Sequence, residues 1–320
     1  MNTYLICPDF KRVTSGGSRF NKKLIEASQG QITPLFYNVD PINLMIQNIP
    51  NDEIILIDSL ILNNIAQLIS RPFIILCHLP SFMNTALDKK TIAKEIKLYK
   101  NQKIIVTGHR MKNTLIEKMD ISPKQIHSIQ PGINNFNKKK HYQNTTERLV
   151  WVGNISPVKG FLEMLDELKQ LTNYPWHLDV YGSTDFDLEY MSAVKDKVIQ
   201  YNLEHRIEFK QSLPHNLLMK ELVNYDLMIQ FSRFESFGMA VYEALNIGLP
   251  VIGLHLHHEA CFDNCKHCYS AEHPKAWRRT MSFLFESPKE LKKTSQIEIR
   301  TWANVYQDFK AFIDQNNGGF

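Results

Sequence analysis

The chain is expected to fold as an α/β protein made of two doubly wound, parallel-sheet domains. Three observations lead there. Apolar runs of strand length recur in a strand, turn, helix rhythm, which suits parallel sheets covered by helices. At 320 residues the chain is long enough for two domains of ordinary size. A polar stretch, residues 134–147, interrupts the rhythm near mid-chain.

The elements follow from the pattern. In the first half, runs rich in Ile, Leu, Phe and Val predict strands near residues 4–7, 32–37, 53–57, 73–77, 103–107 and 126–130. Helical periodicity places helices over 18–28 and 91–100. In the second half, strands are expected near 149–153, 177–181, 206–210, 227–231 and 250–254. Helices over 160–171, 189–201 and 217–224 lie among them. A last helix, about 297–314, carries Trp302, Tyr306, Phe309 and Phe312 at helical spacing, as a core-packing face does. Domains are therefore expected at 1–140 and 146–296, with 297–320 as a closing segment. No internal repeat or low-complexity tract appears.

Composition narrows the class. A hydrophobic content of 43% and a charged content of 22% are those of a soluble globular protein. The net charge of +4 is mild and its basic residues are dispersed, so nucleic acid is not indicated. A weak attraction to an anionic membrane surface is permitted. The clearest basic run, Lys138-Lys139-Lys140-His141, falls in the expected linker. Met1-Asn2-Thr3-Tyr4 enters a strand at once, unlike a signal peptide. No apolar run approaches the roughly 18 residues of a spanning helix. Five cysteines make an odd count, with Cys7 and Cys77 in apolar strands, so a reduced, cytoplasmic protein is expected.

The most informative stretch is 226–252. It reads as a buried strand, a short loop carrying Glu235, a helix carrying Glu243, then Gly248 and Pro250 before another strand. The helix is expected to start at Ser236, Phe237 and Gly238, with Glu243 about two turns inside it. Unpaired amides and the positive helix end suit an anion such as a diphosphate. A carboxylate on either side of that cradle matches the layout of a nucleotide sugar: hydroxyl-rich sugar, diphosphate, hydroxyl-rich ribose.

This pattern of Glu235, Phe237-Gly238, Glu243-Ala244 and Gly248-Leu249-Pro250-Val251 resembles the nucleotide-sugar signature of the GT-B retaining glycosyltransferases of family 4. The resemblance is dense from about 149 to 253. It implies two Rossmann-like domains facing a cleft, with a C-terminal helix that crosses back to the first domain. It also implies transfer of a sugar from a UDP-sugar or GDP-sugar to a glycan, lipid-linked or other hydroxyl acceptor, in surface polysaccharide or glycoconjugate synthesis. Glu235 would hold the sugar hydroxyls and Glu243 the ribose. Lys159 and the helix start would stabilise charge on the leaving diphosphate. In Trp151-Val-Gly-Asn154, asparagine stands where the family usually has arginine, which removes one cation from the phosphate clamp; Arg233 is a candidate to replace it.

Further residues fit the same picture. Gly182 resembles the family's glycine beneath the nucleotide. The loop at 211–214 stands where the base usually stacks and does not separate uracil from guanine. Gly16 and Gly17 resemble the loop that faces donor phosphates and acceptor, and Arg19 matches a frequent basic position there. Cys77-His78-Leu79-Pro80 follows a hydrophobic strand, where a residue at the carboxyl end points into a ligand crevice. The resemblance implies for His78 a contact near the reacting carbon. His109 is a second candidate, and 130–136 resembles the family's turn before the linker. No metal and no cofactor are expected, since Lys159 and the helix dipole take up the charge. Contact with the inner face of a membrane is compatible with a lipid-linked acceptor.

Cys261, Cys265 and Cys268 have the spacing of an iron–sulfur motif but lie too late in the chain for its barrel. Unligated thiols are the expectation, and structural zinc is the alternative. Two rival functions share the fold: a catalytically silent partner subunit and a nucleotide-sugar epimerase. A phosphorylase finds no support, and a radical enzyme is the remotest reading.

Overall fold

The computed structural model describes residues 2–11, 15–80, 83, 88–134, 136, 147–256, 259–263, 265–292 and 297–316. The basic run at 138–141 and the expected linker residues 137–146 lie outside this set. The chain divides into two compact units, residues 1–134 with 300–320, and residues 135–299.

The first unit has one six-stranded parallel sheet. Its strands are β1 (Thr3–Pro8), β2 (Ile32–Tyr37), β3 (Ile54–Asp58), β4 (Ile74–Cys77), β5 (Lys103–Val106) and β6 (Ile126–Ser128). Their order is β2-β1-β3-β4-β5-β6. Every residue of β3 and β4 is buried, as parallel strands covered on both faces require. The helices are α1 (Gly16–Ala27), α2 (Ile42–Gln47), α3 (Leu62–Ile65), α4 (Lys89–Lys100) and α5 (His109–Met119). Ser15 caps α1, its hydroxyl accepting the Ser18 N–H at 3.1 Å. Asp88 caps α4, accepting from Lys90 and Thr91 at 2.9 and 3.0 Å.

The C-terminal helix, Trp302–Asn316, belongs to this first unit and packs on α1, where the Trp302 and Phe20 rings meet edge to face at 5.6 Å. It starts at Trp302 and not at 297. Thr301 caps it, accepting the Asn304 N–H at 3.2 Å. Residues 297–301 before it carry no regular structure, and the Ile133 N–H donates to the Arg300 carbonyl at 2.9 Å. Gly132 permits that contact, because a Cβ there would lie 2.7 Å from the backbone of Thr301 and Trp302.

The second unit repeats the plan. Its strands are β7 (Arg148–Val152), β8 (His177–Tyr181), β9 (Ile207–Lys210), β10 (Leu227–Ile229), β11 (Val251–Leu254) and β12 (Cys268–Ala271), in the order β12-β11-β10-β7-β8-β9. The helices are α6 (Phe161–Leu168), α7 (Leu188–Gln200), α8 (His215–Leu222), α9 (Met239–Asn246), α10 (Ala260–Asp263) and α11 (Pro274–Glu286). Trp151 packs on Phe161 and Trp277 on Phe231, anchoring the neighbouring helices α6 and α11 in one core. Elements α5, β12 and α11 are absent from the sequence reading. The last is set by His273, which caps it through the Ala276 N–H, and by Pro274 in its first turn.

In each sheet the strand order reverses once, between β1 and β3 in the first unit and between β7 and β10 in the second. Ligands of doubly wound sheets bind beyond the carboxyl ends of the strands at such a reversal. Among the described residues, no helix is long and apolar enough to cross a membrane.

Replacing Phe20 with alanine should cost about 3–5 kcal/mol of stability, read by chemical denaturation, because Phe20 is 1% exposed between β-sheet and C-terminal helix. A loss below 1 kcal/mol would show that the helix does not depend on this contact.

Candidate functional site

The loops after β7 and β10 flank the strand reversal of the second unit, and they bring two predicted residues into contact. Lys159 Nζ donates to Glu235 Oε1 at 2.5 Å. The Ser232 hydroxyl donates to the same oxygen at 2.6 Å. The pair is partly shielded, with the two side chains 26% and 13% exposed. Glycine makes the approach feasible. Gly160 has φ +68°, and a Cβ on it would lie 2.4 Å from the Phe231 carbonyl oxygen. The Arg233 N–H donates to the Val158 carbonyl at 2.9 Å, clipping the same two loops together.

The loop after β8 closes against the loop after β7. A Cβ on Gly182 would fall 1.9 Å from the Gly153 carbonyl oxygen, so only glycine fits. Asn154 bridges the two loops, its Oδ1 accepting the Ser183 N–H at 3.2 Å. Asparagine here works as a strand-end clip where an arginine would reach outward. Arg233, the candidate replacement cation, is exposed and paired with Glu163.

Helix α9 begins later than its sequence suggests. Gly238, at φ +97°, is the N-cap and Met239 the first helical residue. Glu243 is therefore just over one turn inside the helix, not two. Ser236 is half-buried in the loop. The Phe237 side chain is 2% exposed and packs on Tyr242 and Phe262, so its ring braces the loop from within. Glu243 is 4% exposed, and its Oε2 lies 3.3 Å from His215 Nε2 at the start of α8. The sequence carries no local sign of that histidine. Ser232 lies three residues before Glu235, yet nothing in the strand pattern marks it as a partner.

In the first unit His78 follows β4, and Gly16 and Gly17 open α1 as helical residues rather than as a positive-φ loop. Gly17 is needed for another reason: a Cβ there would lie 2.8 Å from the His78 ring. His78 Nε2 is 2.8 Å from Asn21 Oδ1, and Asn21 Nδ2 donates to Asp58 Oδ2 at 2.6 Å. Asn21 and Asp58 escaped the sequence reading, although an aspartate ending an apolar strand at the reversal is a signal. His109 is exposed at the first position of α5.

The five cysteines form no disulfide. Cys265 and Cys268 are buried beside the turn between α10 and β12, and burial pushes the Cys261 thiol up to about 12. Among the described residues, the one group of three ligand-type side chains within metal-binding reach is His177, Asp179 and Glu208, on β8 and β9, and the three cysteines do not form such a group. Asp185-Phe186-Asp187 does have Asp-x-Asp spacing, and Asp187 spends it as the cap of α7, accepting the Tyr190 N–H at 3.0 Å.

Two outcomes are expected from this geometry. Gly182→Ala should lose at least the ~1–3 kcal/mol typical of overpacking, since the clash is with backbone; an unchanged denaturation midpoint would mean that the two loops do not touch. Burial holds the His78 imidazole below the usual histidine range, with Asp58 opposing, and burial lowers His127 likewise. The unfolded chain takes up these protons near pH 6.5 while the native state resists them. Stability should therefore fall as pH drops below about 6.5, until the lowered native values are reached. His78→Gln should flatten that fall in denaturant titrations, and an unchanged slope would refute the burial effect.

The sequence model of the family described as glycosyl transferases group 1 matches residues 133–260. The mannosylfructose-phosphate synthase of Agrobacterium fabrum is 25% identical over 183 residues, which is 51% of this chain and 40% of that protein. The chain thus spans less than half the length of this curated relative. Among solved structures, the sucrose-phosphate synthase of Thermosynechococcus elongatus superposes over 100% of both chains with a TM-score of 0.80 at 12% identity. Anabaena HepE, in complex with UDP and glucose, covers 98% of this chain and 99% of its own at a TM-score of 0.78 and 12% identity. The fold is GT-B. Residues 133–260, which carry the Lys159–Glu235 contact, are similar in sequence to the group 1 glycosyltransferases.

Proposed function

We propose that this protein is a retaining glycosyltransferase that moves a sugar from a nucleoside diphosphate donor to a hydroxyl group on a glycan or lipid-linked acceptor. The observation that carries the reading is the Lys159–Glu235 contact of 2.5 Å at the strand reversal, one cation and one acid meeting where such sheets bind ligands. In the protein without donor the two charges neutralise each other. An arriving diphosphate offers the ammonium a better partner, which frees Glu235 to accept hydroxyls of the donor sugar. The first amides of α9 and the helix dipole then stabilise charge growing on the departing diphosphate. Glu243 accepts from the ribose, and His78 serves near the reacting carbon.

Similarity to HepE, solved in complex with UDP-glucose, favours a UDP-sugar over a GDP-sugar. Lysine and helix dipole supply the charge, so no cofactor is assigned. A cytoplasmic setting, with contact at the inner membrane face where the acceptor is lipid-linked, belongs to the same reading, as does a role in surface polysaccharide or glycoconjugate synthesis.

A thermal-shift screen of UDP-, GDP-, ADP- and TDP-sugars tests it. A UDP-sugar at saturation should raise the melting temperature by a few degrees, and Lys159→Ala and Glu243→Ala should each lose most of that rise. Melting points unmoved by every donor would defeat the reading. With a responsive donor in hand, the anomeric configuration of the product, read by proton NMR, decides retention.

A further inference from the structure

The polar chain behind His78 leads from a buried aspartate through an amide to an imidazole, and its donors and acceptors run in one direction only. Asp58 is 0% exposed and, as a carboxylate, can only accept. Its Oδ1 takes the Leu60 N–H at 2.9 Å and its Oδ2 faces Asn21 at 2.6 Å. Asn21, also 0% exposed, must therefore turn its NH₂ toward Asp58 and its carbonyl oxygen toward His78. The nitrogen of His78 that lies 2.8 Å from that oxygen must then carry the proton. The ring cannot turn away. Gly17 lies against one side of it, Phe20 meets it edge to face at 5.4 Å, and the Ser59 hydroxyl accepts the backbone N–H groups of His78 and Leu79 at 3.1 and 3.2 Å.

We propose that Asn21 and Asp58 are positioning residues that lock His78 in its Nε2–H tautomer, so that the ring meets a substrate hydroxyl through Nδ1, as a hydrogen-bond acceptor. The lock follows from buried geometry alone; the role at the hydroxyl rests on the glycosyltransferase reading. Among the described residues Nδ1 has no hydrogen-bond partner, which leaves it for a ligand. A neutral imidazole in this tautomer orients a hydroxyl and takes no proton from Asp58, which lies 4.0 Å away.

The lock makes an unusual demand on Asp58→Asn. An asparagine has one acceptor oxygen, and the Leu60 N–H at the turn after β3 claims it. Its NH₂ then faces Asn21, whose amide must flip and present NH₂ to His78. Nε2 becomes an acceptor and the proton moves to Nδ1. The substitution changes no volume, yet it inverts a tautomer two hydrogen bonds away.

Ring-nitrogen chemical shifts of ¹⁵N-labelled histidine in the full chain, without substrate, read this directly. The wild type should show the Nε2–H pattern at His78, assigned by its loss in His78→Gln. Asp58→Asn should show the Nδ1–H pattern, and Asn21→Ala a mixture. Ser59→Ala should lower stability and leave the tautomer unchanged, since Ser59 touches only main chain. A wild-type ring carrying its proton on Nδ1 overturns the proposal, as does Asp58→Asn with a wild-type pattern. If Asp58→Asn does not fold, Asn21→Ala decides: an unchanged Nε2–H pattern overturns the lock. Transfer activity of Asp58→Asn should fall roughly ten-fold in kcat, the order of one lost hydrogen bond. Inversion with unchanged kcat refutes the role at the substrate while leaving sugar transfer standing.

Discussion

The second unit is organised around a partly shielded ion pair between loops that are remote in sequence. Lys159 and Glu235 stand 76 residues apart and meet at 2.5 Å. With each side chain largely removed from water, neither charge is cheap to hold alone, and removing either partner leaves the other poorly solvated. The loops can approach only because Gly160 has no Cβ to strike the Phe231 carbonyl. Once there, the pair is a store of charge that a doubly charged ligand can rearrange. Under the proposed function, a donor phosphate would compete for the lysine and release the acid to the sugar that follows.

The first unit applies the same requirement to a neutral group. A buried imidazole without a partner would cost a hydrogen bond, so it is tied to Asn21, and Asn21 to Asp58. Burial lowers the proton affinity of the ring, and the carboxylate at the end of the chain sets direction. Both units therefore carry a polar device whose members arrive from different elements. Gly17 and Gly160 have matching duties, each giving room to a side chain or carbonyl of a neighbouring element.

Much of this was legible in the residues. The apolar runs placed most strands of both sheets to within a residue or two, since a fully buried parallel strand needs continuous β-branched and aliphatic side chains. The stretch around Glu235 and Glu243 stands out in the sequence through residue types that ordinary packing does not ask for. Errors came where conformation is set by contacts. The start of α9 was read two or three residues early, because Ser236 and Phe237 look helical until Gly238 takes a left-handed φ and Phe237 turns inward onto Phe262. Strand β12 was missed because Cys268, Tyr269, Ser270 and Ala271 hold no strand pattern; pairing with β11 makes them one. The cysteine spacing that suggested a metal motif reflects a short helix, a turn and that strand. Helix α5 was missed because its apolar residues are sparse, and its buried face is defined only by the sheet beneath it.

What could be known before folding is therefore the periodic and the local: which runs are buried, which glycines and prolines punctuate them, and which acids and bases stand at strand ends. Those depend on short-range sterics and on transfer from water, which each segment carries within itself. The partners were settled by the assembled fold alone. That Glu235 leans on Lys159, that Glu243 lies beside His215, and that His78 is turned by Asn21 depend on distances between segments dozens of residues apart. A hydrogen bond of 3 Å tolerates an error of a few tenths of an ångström, and only packing of whole sheets and helices fixes positions that finely.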